Sequence, residues 1–382
     1  MNPRVRNLHV ELLRIVAMLF VFACHMTIHL DWNLLSVPGA GFAVANTVVQ
    51  FGQVGVCVFF MISGYYLMGR GLSVSRVLGA WVMMLAYSLV VLGSVLLYRS
   101  FVGGGLSALD PLLEGQGLLV TTLKELAPFS MGSYWFMTTY LILLLLAPFL
   151  NHIVCACDRR CVGTLIVGLL VASALSLLGT NTGVLSPLGK GITCYLIGAF
   201  LRAHPDAWRG VRPSLRALAG CLALTLMLAF NYLCLSGSPL ATLFGWDQYW
   251  IYHDGVAPAF ILIAALLLVV ALDKDERAGS LSRLPGAPRA VLAAAARSTF
   301  GVYLLHENYL GWVVLWGVVN RRVPAPSGVA HTVLRFVPLC LGLFCALLLL
   351  AWLLDTLLVG PLVRRARSWG DRVWPERPCR SA

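Results

Sequence analysis

Apolar residues run along this chain in blocks of about twenty, with short polar clusters between them. Ten blocks are predicted, at about 9–30, 43–68, 76–98, 133–154, 162–179, 185–202, 214–236, 256–272, 298–319 and 332–359. Each approaches the ~20 residues that a helix needs to cross a bilayer. No polar interval is long enough to fold as a soluble domain. The pattern therefore predicts an all-α integral membrane protein of about ten transmembrane helices. It reads as one membrane domain over residues 1–363 and a basic cytoplasmic tail over 364–382. No repeat of fixed period is visible. The longest interval, Arg99 to Gly132, holds a Gly-rich stretch and then "LLVTTLKELAPF", whose spacing predicts an amphipathic re-entrant or interfacial helix.

Composition agrees with this reading. Hydrophobic residues make up 59% of the chain and charged residues 12%, against about 25% charged in soluble domains. The net charge of +12 raises nucleic acid as a partner, but the placement of the charges answers otherwise. With the N-terminus inside, 21 Lys and Arg fall in inner segments and 5 in outer ones. That is the positive-inside bias, so both termini are expected to be cytoplasmic and no nucleic-acid partner is expected. The tail is expected to lie on the anionic inner leaflet. A cleaved signal is not expected at the N-terminus, because Arg14 and His25 interrupt the first apolar block and no A-x-A site follows. Eleven cysteines are scattered mostly through the blocks, as small hydrophobes. Cys155, Cys157 and Cys161 cluster near an inner turn, and with His152 they have four candidate zinc donors. Their spacing is irregular, however, and no metal is expected.

The first block carries the candidate chemistry. Its sequence, "VELLRIVAMLFVFACHMTIHLDW", places Glu11, Arg14, His25 and His29 at membrane depth, where titratable groups are costly. Arg14 and His25 are eleven residues apart, which is three helical turns plus about 20°, so they share a face some 16 Å apart along the axis. Glu11 is placed to pair with Arg14 at i, i+3. Taken singly, Arg14 is also what a snorkelling boundary arginine looks like, and His25 what a structural interhelical donor looks like. Together they line a path from the inner side toward the outer one.

Four motifs in order resemble one known family. "LLRIVAMLFVFACH" has an Arg-x10-His arrangement. "VFFMISG" offers Phe59, Phe60, Ser63 and Gly64. "YWFMTTYLILLLLAPFLN" offers Trp135, Phe136, Tyr140, Pro148 and Asn151. "STFGVYLLHENY" offers Gly301, Tyr303 and His306. The chain resembles the acyltransferase-3 family of integral-membrane O-acyltransferases over most of its length.

The resemblance implies an acyl-CoA donor, most often acetyl-CoA, and O-acylation of a carbohydrate that is sometimes lipid-linked, at a bacterial plasma membrane. His25 would then be general base or transient acyl carrier. Arg14 would hold donor phosphate, with Glu11 as its partner. Arg70 and Arg76 follow the second block, with wider spacing than the Arg-x-x-Arg pair of some relatives. They are candidates for the same donor, as is Trp135 by stacking. Ser63 is a candidate nucleophile or hydrogen-bond donor, equally readable as a small packing residue. His306 with Glu307 is an interior polar pair of catalytic or structural role. Where many relatives have a histidine, this chain has Tyr134. Asp247, His253 and Asp254 are weaker candidates for acceptor contact.

A second class of function also fits buried His, Arg and Glu, namely a proton-coupled transporter or exporter of a glycan or small molecule. The two halves of the sequence show none of the pseudo-symmetry that such folds often carry.

Overall fold

In a computed structural model the described residues are 7–35, 40–102, 109–128, 134–178, 186–235, 238–246, 256–276 and 285–376. Among them the secondary structure is entirely helical. The main helices are α1 (Leu8–His29), α2 (Ala40–Leu67), α3 (Val74–Val102), α4 (Gly115–Leu126), α5 (Trp135–Ala156), α6 (Arg159–Ala174) and α7 (Pro187–Ala203). They continue with α8 (Pro213–Leu235), α9 (Ala257–Glu276), α10 (Gly286–His306), α11 (Tyr309–Arg322), α12 (Val329–Leu354) and α13 (Gly360–Val373).

Among the described residues six helical stretches are long and apolar enough to cross a membrane: those of α1, α2, α3, α5, α8 and the continuous run from α12 into α13. Helices α6 and α7, at 16 and 17 residues, are shorter than the ~20 of a straight crossing. The expected ninth span, 298–319, is a correction. The chain there forms two helices that part at Glu307 and Asn308, because the Asn308 side chain caps a new helix. Its Oδ1 accepts from Leu310 N and Gly311 N, both at 2.9 Å.

Helix α2 is the axis of the bundle. It packs against α1, α7, α8 and α9 and touches α5. Small residues let it sit so close. A Cβ on Gly64 would overlap the Tyr195 carbonyl of α7, and a Cβ on Gly198 of α7 would overlap the Met61 carbonyl of α2. In lipid, where apolar faces gain nothing by avoiding tails, such backbone approach is a main source of helix association. Polar pairs add to it. Gln50 and Asn231 exchange side-chain amide hydrogen bonds at 3.0 Å between α2 and α8, and Asn231 also donates to Thr47 Oγ1 at 2.9 Å. Asn151 on α5 donates to the carbonyls of Leu67 and Arg70 at 2.8 and 2.9 Å and accepts from Tyr195, which satisfies the open end of α2.

Helix α4, expected as amphipathic, is arranged inside out. Thr121 and Glu125 are buried against the protein, while Leu119, Leu123 and Leu126 are exposed. That is the polarity of a helix whose outer face meets hydrocarbon rather than water. The segment read as a basic tail begins as α13, continuous with α12 through the turn Asp355–Val359. It packs along α3, with Gly370 against Ser75 and the Arg367 side chain across Gly79.

Replacing Gly64 by Leu should separate α2 from α7 and lower the apparent Tm of the detergent-solubilised protein, by overpacking worth about 1–3 kcal/mol. Gly93 of α3 faces open space. Gly93→Ala should leave the melting curve where it is, and equal losses in the two variants would refute the close-packing account.

Candidate active site

The break between α10 and α11 puts two polar side chains against α1. His25 Nδ1 lies 2.9 Å from His306 Nε2 and 3.2 Å from Glu307 Oε1. His306 is fully buried, and its Nδ1 lies 2.6 Å from the Val302 carbonyl one turn earlier. A carbonyl only accepts, so His306 carries its proton on Nδ1. In the neutral ring Nε2 is then an acceptor. His25 must therefore donate from Nδ1, which leaves its Nε2 with a free lone pair. The Glu307 oxygen lies beside the His25 ring but out of line with the His25 N–H, and makes no hydrogen bond of its own. There it would stabilise an imidazolium by charge if His25 took a proton. The arrangement follows general-base logic, with a histidine oriented by one neighbour and charge-supported by another.

Aromatic contacts hold the pair. Phe22 packs edge-on to His306, with ring centroids 5.2 Å apart, and His29 stacks on Trp312 at 5.2 Å. The Asn320 amide donates to the His29 carbonyl at 2.9 Å, and the Trp32 indole donates to the Val323 carbonyl at 3.1 Å, so α11 is latched to the end of α1. Behind the break lies a second buried network. Asn308 Nδ2 donates to Glu125 Oε2 at 2.7 Å and to the Tyr134 hydroxyl at 2.9 Å. Tyr134 in turn donates to the Leu304 carbonyl at 2.8 Å, and Ser88 donates to Glu125. Tyr134, at the position where relatives are expected to have histidine, thus serves as a strut under the turn that carries His306 and Glu307.

His25 opens onto a narrow cavity of about 30 Å³ between α1, α2, α5 and α10. Trp135, Phe136 and Tyr303 line it with Gln53 and Met18. The structure therefore brings together His25, His306, Glu307 and Trp135. It does not bring Ser63 to them. Ser63 lies ten residues beyond Gln53 on α2, about 15 Å along the axis. Its hydroxyl donates to the Phe59 carbonyl at 2.8 Å and neighbours Tyr140.

Toward the other end of the bundle, Glu11 is buried and its Oε1 lies 3.8 Å from Arg14 Nη1. Arg14, Arg76 and Arg367 lie within electrostatic range of Tyr140. Arg76 is engaged by Glu376 at 2.8 Å and by the Gly71 carbonyl at 2.7 Å, and the Arg70 side chain is exposed. Asp247, His253 and Asp254 lie outside the described residues.

Sequence reasoning missed two residues. Lys190, one of the five Lys and Arg assigned above to outer segments, is buried, with its Nζ donating to Gln53 Oε1 at 2.9 Å. Glu125 is fully buried. The available signal was a charged residue inside an apolar or amphipathic stretch, which has a cost wherever it is not paired.

His25, His306 and Glu307 also offer three metal-ligand atoms within 4.8 Å of one another. Two ligands on a tetrahedral zinc with bonds of about 2.0–2.1 Å stand roughly 3.3 Å apart. The two ring nitrogens, at 2.9 Å, are at the separation of a hydrogen bond instead.

Residues 7–355 match the acyltransferase domain of the acyltransferase-3 family. Neither a curated protein nor a solved structure matches the chain.

Asn308→Ala should uncap α11 and leave the buried Glu125 carboxylate short of a donor. A loss of about 1–3 kcal/mol is expected, read as a lower Tm in detergent. Exhaustive dialysis against a chelator should leave any catalytic activity intact; a loss restored by zinc would show that the histidine pair is a metal site.

Proposed function

Because the chain belongs to the acyltransferase-3 family of integral-membrane O-acyltransferases, we propose that it moves an acyl group, acetyl first among the candidates, from cytoplasmic acyl-CoA to a hydroxyl of an extracytoplasmic carbohydrate. The acceptor would be a cell-envelope glycan or its lipid-linked precursor, and the location a bacterial plasma membrane. Both termini would face the cytoplasm. Ten crossings would result if α6 and α7 cross at a thinned or tilted site and the α10–α11 pair makes one broken crossing.

The observation that carries the reading is the tautomer chain from Val302 through His306 to His25. It leaves the His25 Nε2 lone pair free beside an apolar cavity, which is what a general base needs. His25 takes the acceptor proton, and the acceptor oxygen attacks the thioester carbon. The C–S bond breaks, and the departing thiolate recovers the proton from His25. Glu307 steadies the imidazolium in between. At the inner end Arg14 and Arg76, with Arg367 of α13, supply the positive field that CoA phosphates require. Trp135 stands beside the path of the acyl chain.

Purified protein in detergent, given acetyl-CoA and a mixed extract of surface glycans, should release free CoA. His25→Ala should lower that rate by about 10²–10⁴-fold without loss of fold. His306→Phe should lower kcat by releasing the ring it orients. Wild-type protein that neither releases CoA nor binds acetyl-CoA would move the weight to a proton-coupled transporter.

A further inference from the structure

Acyl transfer needs more than a base. As the acceptor oxygen adds to the thioester carbon, the carbonyl oxygen takes up negative charge, and donors aimed at it are usually the largest single source of rate. The cavity beside His25 contains two donors that the proton chemistry above does not use.

The first is Gln53. The two ends of a glutamine amide are told apart by their hydrogen-bond partners. Here the partner decides. Lys190 Nζ lies 2.9 Å from one end, and an ammonium has three donors and no acceptor. That end must be the oxygen. The amide nitrogen is thereby turned away from Lys190, and it has no acceptor among the described residues. Lys190 is itself buried and held over the Phe260 ring at 5.4 Å, so the lock is not a passing surface contact. A buried lysine is costly, and orienting an amide is a use that accounts for it. Gln53 stands level with His25, since the neighbouring Gly52 packs against Cys24 of α1.

The second donor is Tyr303, which lines the same cavity from α10. It is 3% exposed, and its hydroxyl has no acceptor among the described residues. A buried hydroxyl proton left without an acceptor is unusual in a folded protein, and marks a place where a ligand atom belongs.

We propose that Gln53 and Tyr303 form the oxyanion hole of the transfer reaction, with Lys190 as the positioning residue that locks the Gln53 amide. The proposal rests on the acyltransferase reading. His25 draws the acceptor proton while the carbonyl π pair moves onto oxygen, held by the Gln53 N–H and the Tyr303 O–H. The pair then returns as the C–S bond breaks, and the thiolate is protonated by His25. No other reactant is required.

Gln53→Glu is the decisive variant. It is isosteric and keeps, with added charge, the contact to Lys190. It removes the amide N–H donor and leaves the acceptor on Lys190 in place. With acetyl-CoA and mixed surface glycans, kcat should fall by about 10²–10³-fold while the KM for acetyl-CoA and the Tm stay near wild type. Tyr303→Phe, which deletes a single hydroxyl, should lower kcat in the same selective way. Lys190→Met frees the amide to rotate and should reduce kcat with little change in donor KM. A merely structural lysine would lower Tm and leave the kcat of the folded fraction alone. Wild type that turns over beside a folded Gln53→Glu of undiminished kcat overturns the oxyanion hole and leaves the acyltransferase standing. So does a loss confined to donor KM. Should Gln53→Glu not fold, Tyr303→Phe decides on the same two criteria. Wild type that neither turns over nor binds acetyl-CoA overturns the reading on which the inference rests.

Discussion

One hydrogen bond organises the chemistry of this molecule: the 2.9 Å contact from His25 on α1 to His306 on α10. It joins two helices far apart in sequence, and it works only because His306 is already committed to the Val302 carbonyl. That commitment sets one ring's tautomer, and the first ring then sets the second. The α10–α11 break follows directly and sets where the neighbouring Glu307 goes. Were the helix to run on through Glu307, the carboxylate would point to whatever face its register dictated. Asn308 instead ends one helix and begins another, and it ties the turn to Tyr134 and Glu125 underneath.

Helix type and the main apolar elements were legible in the sequence, because hydropathy over twenty residues is a strong signal and the bilayer leaves few backbone options. Small-residue packing was legible in the second block at Ser63, and the neighbouring Gly64 makes the close approach. The ninth block reads as one helix in the sequence and is two in the structure. The polar stretch His306–Asn308 in its middle is too short to lower the hydropathy of the block, and only Asn308 carries the cap. His25 and Arg14 stood out because each is expensive where it sits. His306 and Glu307 were visible too, but not their use, since no spacing rule joins position 25 to position 306. Lys190 was hidden for another reason: near a block edge, a lysine looks like an ordinary loop charge until its partner Gln53 is known.

The two ends of the bundle divide the labour. At one end, positive charge gathers around Tyr140 from three helices, one of them α13, which follows the stretch matched to the family. At the other, aromatic rings and amides surround His25, with the Glu307 carboxylate 3.2 Å from it and the Lys190 ammonium behind Gln53. Under the proposed reaction a polyanionic nucleotide would belong to the first environment and a reacting acyl group to the second. The inside-out α4 closes the second end with its carboxylate turned inward, its leucines serving as the outer skin.

The cavity beside His25 is narrow and walled by Met18, Val21, Phe59 and Phe136 as well as by its few polar groups. A thioester held there, as proposed above, would meet little solvent, and that bears on how its acyl group would be partitioned. Water is present at tens of molar outside, and any glycan hydroxyl is scarce by comparison. A base that can activate one hydroxyl can activate the other. What separates a transferase from a thioesterase is then not the strength of the base but who is admitted to it. By walling the reacting carbon of the proposed transfer in hydrocarbon side chains, the fold would set the ratio of useful acylation to wasted donor, before any recognition of an acceptor begins.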